Sequence, residues 1–233
     1  MFAGESGRSA RVQRGVAVVA LAVAAAIAAV WLLWPEGTVP RAEPAPPPAP
    51  QAVVAGTVLK DALCHRPATR PFVPTRITVP HVTTNAEVLA LPRDANNVPQ
   101  APPISSTGKT QFAWDAPTIK PGEAQGNVLI NAHTWPDGTA LGNHLLDNVQ
   151  VGHTIIVRGQ GGAELCYTVT KRDVIVASGG SWEYYAKDGP PQLALIVCSP
   201  PRLGPGNWLH RTIWYASPWG TPQARAARAS AAS

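Results

Sequence analysis

Of the 233 residues only 14% are charged, prolines number 25 and glycines 20, and the formal net charge is +5. Proline and glycine at that level argue against a mainly helical protein and point to extended segments joined by many turns. The positive balance raises nucleic acid as a partner, but the basic residues are spread along the chain, clustering only at its ends (Arg8, Arg11, Arg14; Arg225, Arg228). Without a recognition-helix, zinc-finger or aromatic RNA-binding pattern beside them, that charge reads as solvated surface and not as a nucleic-acid site.

Taken in order, residues 1–14 form a short basic segment. Gly15–Trp34 then runs without a charge for about 20 residues, the length a helix needs to cross a bilayer core. With three arginines before it, the positive-inside rule puts the N-terminus in the cytoplasm and the rest of the chain outside. A cleaved signal peptide is the rival reading. The run ends in Trp-Leu-Leu-Trp34 instead of a small-residue cleavage site, so a retained single-pass anchor in the cell membrane is predicted. Residues 35–69 are rich in proline and alanine, a composition that gives an extended, semi-rigid stalk.

Residues 70–218 carry the pattern of a folded domain. Short runs suited to strands recur at Thr75–Val79, Ala86–Leu91, Gln111–Trp114, Asn127–Ala132, Thr154–Gly159, Glu164–Thr170 and Val174–Ala177. Turn signals such as Lys120-Pro121-Gly122 and Pro136-Asp137-Gly138 separate them. Regular spacing of many short strands predicts an all-β barrel or sandwich, and no βαβ pattern is present. A helical turn is expected at Ser181–Lys187, with Ser181 as its cap. Leu193–Val197 is continuously apolar and reads as a strand buried on both faces. Ser199-Pro200-Pro201 should stop it, because proline cannot donate to a ladder, leaving Cys198 at its last position. After Gly204-Pro205-Gly206, Trp208–Tyr215 reads as the next strand and carries Arg211 beside the cysteine strand. Residues 219–233 show no apolar periodicity and are expected to be a disordered tail.

Three cysteines in an exported domain leave one over. Cys198 is the natural odd thiol, with Cys64 and Cys166 as a candidate disulfide whose geometry the sequence does not give. A cysteine at a strand end is ordinarily a small buried hydrophobe. Used as a nucleophile it needs an imidazole to stabilise its thiolate and protonate a leaving amine, and a fixed donor for the oxyanion. Among the six histidines (His65, His81, His133, His144, His153, His210), only His133 follows a buried strand and sits at a strand end. No close Cys/His grouping suggests zinc and no compact carboxylate cluster suggests calcium, so neither metal nor cofactor is expected.

Ala132-His133-Thr134-Trp135, Ala194-Leu-Ile-Val-Cys198 and Asn207-Trp-Leu-His-Arg211-Thr-Ile-Trp-Tyr-Ala216 resemble the histidine, cysteine and arginine motifs of the sortases, cysteine transpeptidases of Gram-positive surfaces. The likeness spans most of residues 70–218, including Pro74–Pro80, Lys120–Glu123 and Val149–Ile155, and it is strongest to the class F or actinobacterial sortases. It implies a closed barrel of about eight strands. It also implies Cys198 as nucleophile, His133 as acid and base, and Arg211 as holder of the substrate backbone or oxyanion. The substrate would be a Leu-Pro-x-Thr-Gly-like (LPxTG-like) sorting signal of surface or pilin proteins, cut between Thr and Gly and passed to a cell-wall or pilin amine. Trp182, Tyr184 and Tyr185 fall in the loop that covers the signal. Ala194 and Val197 stand where the family usually has threonines in Thr-Leu-x-Thr-Cys, which bears on rate and specificity. Two other readings compete: a catalytically idle barrel that binds wall peptides or partner proteins, and an L,D-transpeptidase, which would need a Ser-His-Gly-Cys-type motif that Ile-Val-Cys-Ser does not match.

Overall fold

A computed structural model of the chain describes Cys64 and residues 67–233. The predicted cytoplasmic segment, membrane anchor and most of the stalk lie outside the described residues. Among those described, no helix is long and apolar enough to cross a membrane.

Eight strands close into a barrel: β1 Pro74–Val79, β2 Thr83–Leu91, β3 Phe112–Asp115, β4 Asn127–Ala132, β5 Thr154–Gly159, β6 Glu164–Val176, β7 Gln192–Gly204 and β8 Asn207–Pro218. Their order around the barrel is β1-β2-β3-β4-β7-β8-β6-β5. The pairs β2–β3 and β4–β7 are parallel and the others antiparallel. Side chains alternate between two faces along a strand, and that alternation sorts the core. Val128, Ile130 and Ala132 of β4 meet Leu193, Leu195 and Val197 of β7 and Trp214 of β8 inside the barrel. Leu129, Ala194, Ile213 and Tyr215 leave by the outer face and are covered there by Tyr184. Val128–Ile130 of β4 and Leu193–Leu195 of β7 are continuously apolar because both of their faces are buried.

Two expected breaks in the strand pattern are absent. The expected strands Glu164–Thr170 and Val174–Ala177 merge into one, β6, which ends at Val176. The intervening Lys171, Arg172 and Asp173 look like a turn in sequence, but Lys171 and Asp173 share the outer face, where Lys171 pairs with Asp173 at 2.7 Å and Glu183 at 2.8 Å, and Arg172 on the other face donates to Leu146 O at 3.0 Å. Ser199-Pro200-Pro201 does not end β7 either. The last β4–β7 rung is Ala132 with Val197, so beyond it β7 has β8 as its one neighbour. An irregularity between Ser199 and Arg202 takes the prolines out of the ladder, and sheet edges and bulges are where prolines are tolerated.

The helices also depart from expectation. Ser181–Lys187 forms turns and no helix, although the Tyr184 amide does donate to Ser181 Oγ at 3.1 Å. Helix α1, Leu141–Asn148, has no counterpart in the sequence reading. Leu141 and Leu145, four residues apart, are its buried stripe, too short a repeat to stand out against the surrounding turn residues. Helix α2, Pro222–Ala231, occupies the segment expected to be a disordered tail. Thr221 caps it by accepting from the Ala224 amide at 3.3 Å, proline fits its first turn, and alanine has the highest helix propensity. Ala224 and Ala227 bury its inner face, an apolar stripe made only of methyl groups.

Cys64 and Cys166 are disulfide-bonded with Cα atoms 6.0 Å apart. The bond ties the segment entering the domain to β6, and Glu164 Oε1 accepts from the Cys64 amide at 3.0 Å beside it. Because the two cysteines are 102 residues apart, the cross-link closes a long loop of the unfolded chain, an effect of about 2–5 kcal/mol for loops of this size.

Candidate active site

Register brings the three candidate residues into one row. β4 runs parallel to β7 with Ala132 opposite Val197, so the next residues, His133 and Cys198, stand side by side just past the last rung. β7 runs antiparallel to β8 with Cys198 opposite Arg211. Neighbouring strands are about 4.8 Å apart, and the three side chains therefore collect on three adjacent strands at one end of the barrel. All three line a single cleft of about 570 Å³.

Local structure holds each one. The Thr134 hydroxyl donates to the Cys198 carbonyl at 2.6 Å, which locks the end of β4 to the nucleophile's strand after the ladder has stopped. The Gly142 amide donates to the His133 carbonyl at 2.7 Å. A Cβ at Gly142 would overlap that carbonyl and Thr134 Oγ1, so the close approach of α1 requires glycine. Asn143 fastens the turn that follows: its Oδ1 accepts from Trp135 N at 2.9 Å and Ala140 N at 3.2 Å, and its Nδ2 donates to Trp135 O at 3.0 Å. The His133 ring reaches Pro102 O through Nε2 at 2.5 Å. Arg211 Nη1 donates to Trp208 O at 3.2 Å and His210 O at 3.0 Å.

The walls of the cleft come from segments between strands. Val98, Pro99, Ala101 and Ile104 of the β2–β3 connection form one side, and Tyr184 and Tyr185 of the β6–β7 connection form another. Asn127 anchors the second, donating from Nδ2 to Glu183 O at 2.7 Å and Tyr184 O at 3.2 Å. Tyr185 stacks edge-on to Tyr184 with centroids 4.9 Å apart, and the Arg93 guanidinium lies 5.5 Å from the Tyr185 ring centre. No carboxylate lines the cleft among the described residues; its formal positive charges are Arg202 and Arg211.

Of the loop and strand residues singled out in the sequence, Tyr184, Tyr185 and Val197 line the cleft. Val197 does so while its side chain packs into the barrel core. Trp182 is 94% exposed, and Ala194 is fully buried beneath Tyr184; neither is part of the cleft wall. Sequence alone does not mark the β2–β3 segment or Thr134 as contributors. Thr134 adjoins His133 in the motif, but nothing in sequence shows that it bonds to a strand 64 residues away.

Cys198 is the one free cysteine among the described residues. Burial pushes its thiol above the ordinary value, the larger effect, while the Arg211 guanidinium acts in the opposite sense. A raised pKa leaves the thiol protonated near neutral pH, so thiolate accumulates only as pH climbs beyond the range of a free thiol. Alkylation of Cys198 by iodoacetamide should accordingly rise with pH around a midpoint above that of a free thiol, and Arg211→Ala should move the midpoint further up. A midpoint below the free-thiol value, or one that Arg211→Ala leaves in place, would contradict this account.

The family model described as Sortase domain matches residues 77–219. Among solved structures, the chain is similar to Streptococcus agalactiae sortase C1 at 17% identity, covering 63% of this chain and 67% of that one, with a TM-score of 0.44. It is similar to sortase C1 of Streptococcus suis at 17% identity, covering 66% and 75%, with a TM-score of 0.46. Sortase C2 of Group B Streptococcus Pilus Island 1 is similar at 18% identity, covering 61% and 72%, with a TM-score of 0.45. No curated protein matches the sequence.

Proposed function

The chain belongs to the sortase family of cysteine transpeptidases, and on that premise we propose that it cleaves a Leu-Pro-x-Thr-Gly-like signal between Thr and Gly and transfers the acyl part to an amine of the cell wall or of a pilin. The observation that carries this reading is the row of His133, Cys198 and Arg211 across β4, β7 and β8 at a cleft with apolar walls. An uncharged, extended peptide suits such walls, and a cation at their end suits an oxyanion.

In this mechanism Cys198 Sγ, as thiolate, attacks the threonine carbonyl carbon and the carbonyl electrons move to oxygen beside Arg211. As the tetrahedral adduct collapses, the Thr–Gly C–N bond breaks and protonated His133 gives its proton to the departing glycine amine. A thioester remains. The acceptor amine then attacks it, His133 takes a proton from that amine, and the Cys198 thiolate leaves. Burial that keeps the thiol neutral in the resting site means that only part of the enzyme is in the competent ionic form near neutral pH.

Residues 15–34 would hold the enzyme in the cell membrane with its N-terminus in the cytoplasm, residues 35–69 would act as an extracellular spacer, and residues 70–218 would be the catalytic domain. Within the family, the motif pattern supports a class F or actinobacterial member. Incubation with a panel of Leu-Pro-x-Thr-Gly peptides, followed by tryptic digestion and mass spectrometry, should reveal an adduct equal to the peptide's acyl portion on the fragment containing Cys198. An unmodified Cys198 with every peptide would favour the idle-barrel reading instead.

A further inference from the structure

The cleft contains a polar group that this mechanism leaves unused. Asn131 of β4 precedes His133, just past the strand's end, by two residues, so both side chains leave the same outer face. It is only 9% exposed. Its Nδ2 donates to Gln100 O at 3.0 Å, and since a carbonyl can only accept, that bond identifies which end of the amide is which. The other end, Oδ1, is buried without a hydrogen-bond partner, in a residue that lines the cleft. An orphaned buried acceptor is unfavourable, and an aliphatic side chain like the neighbouring Leu129 or Ile196 would avoid that cost. Asparagine makes sense at this position if a ligand brings the missing donor.

The register says which donor. Asn131 pairs with Ile196 and so lies one pleat repeat, about 6.6 Å, behind the level of His133 and Cys198. In that direction the floor passes Ile196 toward Leu129 and Ala194, where Tyr184 closes it over. The closed, apolar end suits the leucine and proline of the signal, while the thioacyl-forming carbonyl sits at Cys198. The extended acyl chain then runs back over Asn131. In Leu-Pro-x-Thr the N–H of x stands about one repeat behind the threonine carbonyl, and the proline before it has no N–H.

We propose that Asn131 Oδ1 accepts the backbone N–H of the residue immediately before the acylating threonine, making Asn131 a specificity-determining residue for the signal's backbone. The inference rests on the sorting-signal reading above, and binding measurements separate the two. Fluorescence anisotropy would compare a labelled Leu-Pro-x-Thr-Gly peptide with its depsipeptide, in which the x N–H is replaced by an ester oxygen. The proteins would be Cys198→Ala alone and the same variant carrying Asn131→Leu or Asn131→Asp. With Asn131 present the ester should weaken binding about tenfold. With Asn131→Leu the amide peptide should fall to about the affinity of the ester, whose own binding the substitution leaves nearly unchanged, and Asn131→Asp, which keeps the acceptor, should restore a clear preference for the amide. The same tenfold ratio in Asn131→Leu would overturn the contact while leaving the sorting-signal reading intact. Absence of binding by both peptides to Cys198→Ala would overturn that reading, and the contact with it.

Discussion

Cys198→Ala is expected to abolish both the acyl adduct and turnover of a Leu-Pro-x-Thr-Gly peptide, and His133→Ala to slow turnover by at least about a thousandfold. The two losses differ in kind. Alanine at 198 removes the atom that would carry the thioester, so no covalent species can form. Alanine at 133 leaves the thiol in place but removes the group that protonates the glycine amine, and an unprotonated amine is a poor leaving group. A strong nucleophile such as hydroxylamine should not rescue His133→Ala, because the slow step precedes the thioester. The check is release of a quenched fluorescent peptide alongside intact-mass detection of the adduct. Turnover within about tenfold of wild type in either variant would show that these residues do not carry the reaction. Circular dichroism keeps the comparison fair for His133, whose ring also contacts Pro102 O.

Arg93→Ala is expected to cost about 3–5 kcal/mol of stability. The Asp115 side chain is fully buried, and every side-chain hydrogen bond to its carboxylate comes from Arg93: Nε to the two oxygens at 3.1 and 3.0 Å, and Nη2 to Oδ2 at 2.6 Å. Removing the guanidinium strands a carboxylate in the interior. Lysine cannot reproduce a planar fork that meets both oxygens, so Arg93→Lys should recover only part of the loss. Replacing both residues with leucine should recover most of it, because no charge is then left buried. Thermal unfolding should place Arg93→Ala about 10 °C or more below wild type for a domain of this size. The same guanidinium lies over the Tyr185 ring, so Arg93→Ala should also loosen that wall of the cleft and raise KM for peptide. A melting point within about 2 °C of wild type would refute the stranded-charge argument.

How far the molecule could be read in advance depended on the range of the interactions involved. β4 and β5 were visible to the residue, because their apolar runs are bounded by turn-forming residues on both sides. β6 reads as two strands in sequence, since Lys171 pairs with both Asp173 and Glu183 on an exposed face that a hydropathy pattern cannot distinguish from a turn. The two prolines of β7 looked like a stop because sequence does not show that β4 has already ended there. Helix α2 was missed because its buried stripe is alanine, a residue too small to mark a face. Among the cleft residues, the motif pointed to His133, Cys198 and Arg211, but gave Ala194 and Trp182 the same standing as Tyr184 and Tyr185. Ala194 is covered on the outer face by Tyr184, and which of the three aromatics faces the cleft depends on how residues 177–191 lie over the sheet, where Asn127 holds Glu183 O and Tyr184 O and Arg93 lies against Tyr185; neither residue belongs to the motif.

The sequence by itself determined the family, the all-β class and the identity of three candidate reactive residues, because strand propensity, proline and glycine placement and short motifs are local properties. The tertiary structure decided everything that depends on pairing between distant strands. It set the parallel register that puts His133 beside Cys198, and the bond from Thr134 to the Cys198 carbonyl. It also formed the β2–β3 segment into a cleft wall and left Asn131 buried with one free acceptor. None of these can be read along the chain, since closing a barrel joins residues whose separation in sequence carries no information about their neighbours in space.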